Sequence, residues 1–236
     1  MKKVFKLYPE SFYKEKALEA FEQGMDHITD GEYGKAYYCF LDAIEFDNNE
    51  AKYYFFAGLA SYYFQEENAT SYFEKAAVMN MEEVDYQMWY GICLYRDENY
   101  TEAKRVLLYG YSLDNGNEKI IHYLIKVLNR LEEYDKVKEI IEKCVGEDNA
   151  TPEMLYELGY SYVKELEYKK AEKVLTRSID SDPKNVMSYY ILSRVYCKTG
   201  EFDNAINILE KLVKEVPTER ELVKSNIEAI GLLKSF

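Results

Sequence analysis

Two histidines, His27 and His122, and four cysteines, Cys39, Cys93, Cys144 and Cys197, are the side chains best suited to bind a metal or attack a substrate. Their spacing argues against both. The cysteines stand 54, 51 and 53 residues apart, without a C-x-x-C pair. That pattern fits small buried hydrophobes in a reducing compartment better than a zinc site or a disulfide framework. Neither histidine has a cysteine or aspartate at ligand spacing. No Gly-rich phosphate loop, H-E-x-x-H or G-x-S-x-G sequence occurs. Asp180-Ser181-Asp182 lacks the glycine and terminal glutamate of a calcium loop and reads as a turn. Pairs such as Glu66-Glu67, Glu82-Glu83 and Glu132-Glu133 are adjacent, so they point apart on a helix and make poor acid/base pairs. The expectation is a protein that is not an enzyme and needs no metal or cofactor.

One stripe invites a binding chemistry instead. Lys119, His122, Lys126, Asn129 and Arg130 follow offsets of 0, 3, 7, 10 and 11, which is one face of a helix. The chain as a whole carries a formal charge of −13. A basic stripe on such a chain would attract carboxylates of a partner. The plain alternative is a solvated face paired with Glu or Asp across from it. The overall acidity repels phosphate backbones, so no nucleic-acid partner is expected.

The stripe must be held by helices, and the sequence says where they lie. Hydrophobic residues make up 47% of the chain, and only 4 Pro and 11 Gly interrupt it. Four ladders recur every 33 or 34 residues. The first runs Gly24, Gly58, Gly91, Ile125, Gly159 and Ser193; the second Ala36, Ala69, Ala103, Val137, Ala171 and Ala205. The third runs Phe40, Phe73, Leu107, Ile141, Leu175 and Leu209; the fourth Ala43, Ala76, Gly110, Cys144, Ser178 and Leu212. The last three are offset by four and three residues, so they share one helical face. Each unit is a helical hairpin whose small residues let two backbones approach, and neither helix can bury its apolar face alone. Asp182-Pro183 and Val216-Pro217 end helices, because the residue before proline avoids the helical region. Asp47-Asn48-Asn49, Asp114-Asn115-Gly116 and Asp148-Asn149 are turn formers. Unit two is one residue short between Gly58 and Ala69, so its turn should be tighter. Unit four, with Ile125 and Val137, should hold its helices farther apart.

The fifth unit, with Leu155, Leu158, Gly159, Tyr162, Tyr168, Ala171, Leu175 and Pro183, closely resembles the tetratricopeptide-repeat signature. The resemblance extends over roughly residues 17–217 and implies an all-α, right-handed superhelical solenoid of six helix-turn-helix repeats. The expected organisation is an N-terminal segment at 1–16, then repeats at about 17–50, 51–83, 84–117, 118–151, 152–185 and 186–217. A C-terminal capping helix follows at 218–236, with Val223, Ile227 and Ile230 turned to Leu212. His27 falls where the family holds a core aromatic, so a packed histidine is expected there.

In this family the first helix of each repeat lines a concave groove that binds peptides. Mapped onto this chain, the groove has an apolar, aromatic zone in repeats two and three: Phe55, Leu59, Tyr62, Tyr63, Met88, Ile92 and Tyr95. Arg96 stands at the junction. A basic zone in repeats four to six comprises Lys119, His122, Lys126, Asn129, Arg130, Tyr156, Tyr160, Lys164, Tyr190, Arg194 and Lys198. The implied function is a protein-interaction scaffold or adaptor whose partner is a protein or peptide with acidic and apolar residues. A self-assembling structural protein and a small-ligand or peptide sensor stay open as alternatives. The carboxylate clamp of chaperone-binding relatives is not reproduced: Phe21, Met25, Phe55 and Leu59 occupy the comparable places. Lys6 and Pro9 interrupt any signal-like apolar run, and no stretch is long enough to cross a membrane, so a cytoplasmic protein is expected.

Overall fold

The computed structural model describes residues 8–64, 68–146 and 149–234. Among them there are thirteen α-helices and no strand. In chain order they are α1 (Glu10–Thr29), α2 (Tyr33–Phe46), α3 (Ala51–Phe64), α4 (Ala69–Met79), α5 (Val84–Arg96), α6 (Tyr100–Leu113) and α7 (Glu118–Arg130). Then come α8 (Tyr134–Ile140), α9 (Pro152–Lys164), α10 (Tyr168–Ser181), α11 (Val186–Thr199), α12 (Phe202–Glu215) and α13 (Arg220–Lys234). A π-helical turn, Ile141–Val145, prolongs α8, and a 3-10 turn, Pro217–Glu219, precedes α13. The chain forms two compact units, 1–123 and 124–236, divided within α7.

In the first unit α1 packs on α2, α2 on α3, α3 on α4, α4 on α5 and α5 on α6. The contact that sets hairpin spacing is between the first and third ladders. A Cβ added to Gly24 would stand 2.5 Å from the Phe40 ring, and one added to Gly91 would stand 2.5 Å from Leu107 Cγ. Gly58 is less tight, with Phe73 at 3.0 Å. Phe40, Phe73 and Leu107 are fully buried, and each such side chain contributes about 2 kcal/mol by leaving water. Gly110 gives room to Ile120, 3.1 Å from where its Cβ would be.

The second unit repeats the arrangement with α9 on α10, α10 on α11 and α11 on α12, closed by α13 on α12. Gly159 faces Leu175 at 2.6 Å. Ser193 instead sends its Oγ to the Ala205 carbonyl at 3.3 Å. Ile125, Val137 and Ile141, the bulky trio of repeat four, are all fully buried. It is here that the second helix departs from regular geometry and takes the π-turn. Val223 and Ile230 of α13 are buried, as is Leu212 of α12.

The turns inside the hairpins share one device. Gly31, Glu98, Glu132, Leu166 and Gly200 all have positive φ, between 59° and 82°. Each donates its N–H three residues back, and the next N–H reaches five residues back, as in Glu32 to the His27 carbonyl and Glu167 to the Tyr162 carbonyl. This is the Schellman closure, which glycine enters without strain. The turn of repeat two, for which a tighter course is expected, falls at 65–67, outside the described residues. Between hairpins, Asp47, Asp114 and Asp182 accept backbone N–H groups two residues on, at 3.1, 3.0 and 2.9 Å. Asp182 is thus a turn residue, as its place before Pro183 implies. His27 differs from expectation. It is half-exposed, and its Nδ1 lies 2.8 Å from Glu32 Oε2, so it ties down the first hairpin turn rather than filling a core place.

Candidate functional site

In the first unit the candidate surface is an aromatic shelf on first helices. The end of α3 places Tyr62 half-buried and Tyr63 exposed. Trp89 of α5 lies flat on the buried Phe73, with ring centres 5.6 Å apart and planes 12° apart. Its edges meet Tyr62 at 5.3 Å and Tyr63 at 6.3 Å. Tyr63 stacks in turn on Tyr33 at 4.9 Å. Two cations rest on these rings: Arg96 is 4.9 Å above Tyr62, and Lys119 is 5.1 Å above Trp89. A cation on an exposed ring gains about 0.5–1 kcal/mol, which fixes its position without neutralising it. Arg96 has Asp97 at 3.4 Å. Lys119 has no ion-pair partner among the described residues.

The other apolar groove residues divide by burial. Phe55, Met88 and Ile92 are 8%, 6% and 3% exposed and belong to the core. Phe55 packs on Tyr86 at 4.6 Å and on Phe73 at 5.7 Å. Leu59 and Tyr95 are half-buried. Tyr95 meets Tyr100 at a tilt, with ring centres 5.7 Å apart, and Tyr123 edge-on at 5.8 Å. His122 is half-buried against Tyr123.

In the second unit the remainder of the basic stripe meets its own carboxylate. Asn129 is 5% exposed. Its amide donates to the Glu157 carbonyl at 3.0 Å and to Glu157 Oε2 at 2.7 Å, and its Oδ1 accepts from Ser161 Oγ at 2.7 Å. Asn129 therefore fastens α7 to α9 and is withdrawn from the surface stripe. Burial raises the Glu157 pKa, while the Asn129 hydrogen bond and the charges of Lys126 and Arg130 oppose that shift. Lys126 and Arg130 thus act on a carboxylate the fold already supplies.

Tyr156 and Tyr160 are half-buried, and the Lys164 ammonium lies 5.4 Å over Tyr160. The Tyr190 hydroxyl donates to Glu219 Oε2 at 2.8 Å. Burial, then that carboxylate, pushes the Tyr190 phenol up to about 12. Arg194 and Lys198 are exposed.

Trp89 is the residue that ladder reasoning missed. It lies two places before Gly91, off every ladder, and its one signal is being the sole tryptophan. Nothing in these surfaces resembles an activated nucleophile. Burial pushes the Cys93 thiol up to about 12, so it stays protonated. Among the described residues no group of three or more His, Cys, Asp or Glu could hold a metal. None of their helices is long and apolar enough to cross a membrane.

Comparison with known proteins places the fold. The tetratricopeptide-repeat family model matches residues 162–225. The solved structure of Pseudomonas aeruginosa PilF superposes with a TM-score of 0.69 at 20% identity, covering 92% of this chain and 98% of that one. MamA from Desulfovibrio magneticus RS-1 gives 0.64 at 18% identity over 72% of this chain and 96% of that one. YrrB, a tetratricopeptide-repeat protein with an unusual peptide-binding site, gives 0.58 at 21% identity over 80% and 97%. No curated protein matches. The ladders, the hairpins and these neighbours agree on an all-α tetratricopeptide-repeat fold.

Proposed function

We propose that this tetratricopeptide-repeat chain is an interaction scaffold that holds a partner segment carrying apolar and acidic side chains against its first helices. The observation that carries the reading is the shelf of Tyr62, Tyr63 and Trp89 with Arg96 and Lys119 resting on it. An extended peptide can lay an apolar side chain on the rings and set a neighbouring carboxylate against the cations. In the second unit, Lys126, Arg130, Lys164, Arg194 and Lys198 form the basic zone, with Glu157 as an internal competitor for its charge. An acidic ligand would be held there more weakly than on the shelf. The reading is one of binding rather than catalysis.

Calorimetric titration with synthetic peptides tests it. A peptide alternating Leu or Phe with Glu is expected to bind the wild-type chain, and the same peptide with Lys for Glu to bind much less. The double variant Arg96→Glu, Lys119→Glu should weaken the acidic peptide by about tenfold or more, or 1.4 kcal/mol. Both positions are exposed, so folding should be unchanged. Equal affinity of the two peptides, or no loss in the double variant, would refute the shelf as the site.

A further inference from the structure

The surface carrying a second inference lies at the end of the second unit. Each ladder glycine of a first helix is covered by a large side chain of the helix that follows: Gly24 by Phe40, Gly58 by Phe73, Gly91 by Leu107 and Gly159 by Leu175. Helix α13 continues the phase, since Ile227 lies one repeat period beyond Ser193. Ile227 is half-buried. Beside Ile227, between α12 and α13, opens a cleft of about 440 Å³ with Val213 and Val223 in its wall. Lys214, Arg220 and Lys224 line it as well, against two carboxylates, Glu210 and Glu228. The cations exceed the carboxylates by one in a chain of charge −13. None of the three cations forms an ion pair among the described residues.

A complementary face exists in the same chain. On α1, Glu15, Leu18, Glu22 and Asp26 follow offsets of 0, 3, 7 and 11 and are all exposed. This is one helical stripe with an apolar residue among three acids. Leu18 is 44% exposed. Glu22 and Asp26 form no ion pair among the described residues, whereas the neighbouring Glu10 and Glu19 are matched by Lys14 and Lys16. The cleft lacks a helix with an apolar residue and acidic flanks, and α1 presents one.

We propose that the cleft between α12 and α13 receives helix α1 of a second copy of this chain. Leu18 enters against Val213 and Ile227, and Glu22 and Asp26 meet Lys214, Arg220 and Lys224. The two patches differ, so the contact is heterologous. It passes from copy to copy, into rings or open chains, rather than closing a two-fold dimer. Its charged rim makes it sensitive to salt.

Sedimentation velocity over rising concentration tests the proposal. The wild-type chain should gain mass progressively up to about 1 mM, where even a weak contact registers, and lose that gain in added salt. The variant Glu22→Lys, Asp26→Lys blocks one face, and Lys214→Glu, Lys224→Glu blocks the other. All four positions are exposed, and circular dichroism checks that each variant folds. Each variant alone should associate about tenfold more weakly or worse. Mixed together, the intact cleft of one variant takes the intact α1 of the other, and the reversed charges of the two altered faces also match, so the mixture should recover the association that neither variant shows alone. A wild-type chain that stays monomeric would overturn the proposal. So would a dimer that saturates, variants that associate like the wild type, or a mixture that fails to associate. Binding of an unrelated helix in the cleft with no self-association would overturn it too.

Discussion

Ala76 in the first unit and Ser178 in the second stand three repeat periods apart and do the same backbone work. Each carbonyl accepts the N–H of the residue that ends its helix, from Asn80 at 3.0 Å and from Asp182 at 2.9 Å. Their side chains differ in kind. Ala76 is fully buried in an interior dominated by rings such as Phe55, Phe73 and Trp89. Ser178 donates to the Pro152 carbonyl at 2.6 Å, lies 2.8 Å from Ser188 Oγ and accepts from Asn185 at 3.3 Å. The contrast recurs with an exception on each side: in the first unit the buried Gln87 donates to the Ala77 carbonyl at 3.1 Å, and in the second the Tyr189 ring is fully buried. In the first, Phe21 touches Phe40, Tyr53 and Phe56 within 5.6 Å. In the second, Leu158, Leu175 and Leu192 fill the core, and Asn129, Ser161, Ser178 and Ser188 join helices by hydrogen bonds. One repeat geometry is thus built with two kinds of adhesive. What the geometry requires is the alternation of small and large residues, not aromatic or polar character as such.

The largest expected effects test what the units share. Gly91→Val and Gly159→Val each force a branched side chain onto a leucine already 2.5–2.6 Å from an added Cβ. Each should lose about 3 kcal/mol in urea unfolding. Similar losses sustain a common spacing contact; a loss in one unit alone breaks it. Next come exchanges of adhesive. Ser178→Ala should lose about 1–2 kcal/mol, because it strands the Ser188 hydroxyl and the Pro152 carbonyl. Ala76→Ser should lose about 1 kcal/mol by burying a hydroxyl in a site without a built partner. If Ala76→Ser were neutral, the first unit would be as tolerant of polar joints as the second. The smallest effect is a gain. Leu166 has φ 62° and is 69% exposed, so its side chain gains little from the place it is held. Leu166→Gly should raise thermal stability by about 1 kcal/mol, and Glu98→Gly by a similar amount in the first unit.

Much of this was legible in the sequence because ladders are periodic. Gly24, Gly91 and Gly159 announce their contacts by phase, and their partners Phe40, Leu107 and Leu175 recur with them. The left-handed turns were not legible. Gly31 and Gly200 hint at them, but Glu98, Glu132 and Leu166 are ordinary residues forced into that backbone by the helices on either side. Asn129 shows a different limit. Its spacing put it on the basic stripe, yet a stripe drawn on one helix takes no account of the next. Glu157 and Ser161 of α9 claim the amide. Trp89 was invisible to periodic reasoning because the shelf depends on contacts with α3, α4 and α7, which no single ladder contains.

The sole tryptophan also has an optical consequence. Trp89 belongs to the first unit, stacked on Phe73 and overlain by Lys119. Indole emission excited at the red edge therefore reports on the first unit alone, and the second is dark at that wavelength. Melting followed by this emission, set beside far-ultraviolet ellipticity from the helices of both units, separates loosening of the first unit from loosening of the second without any label.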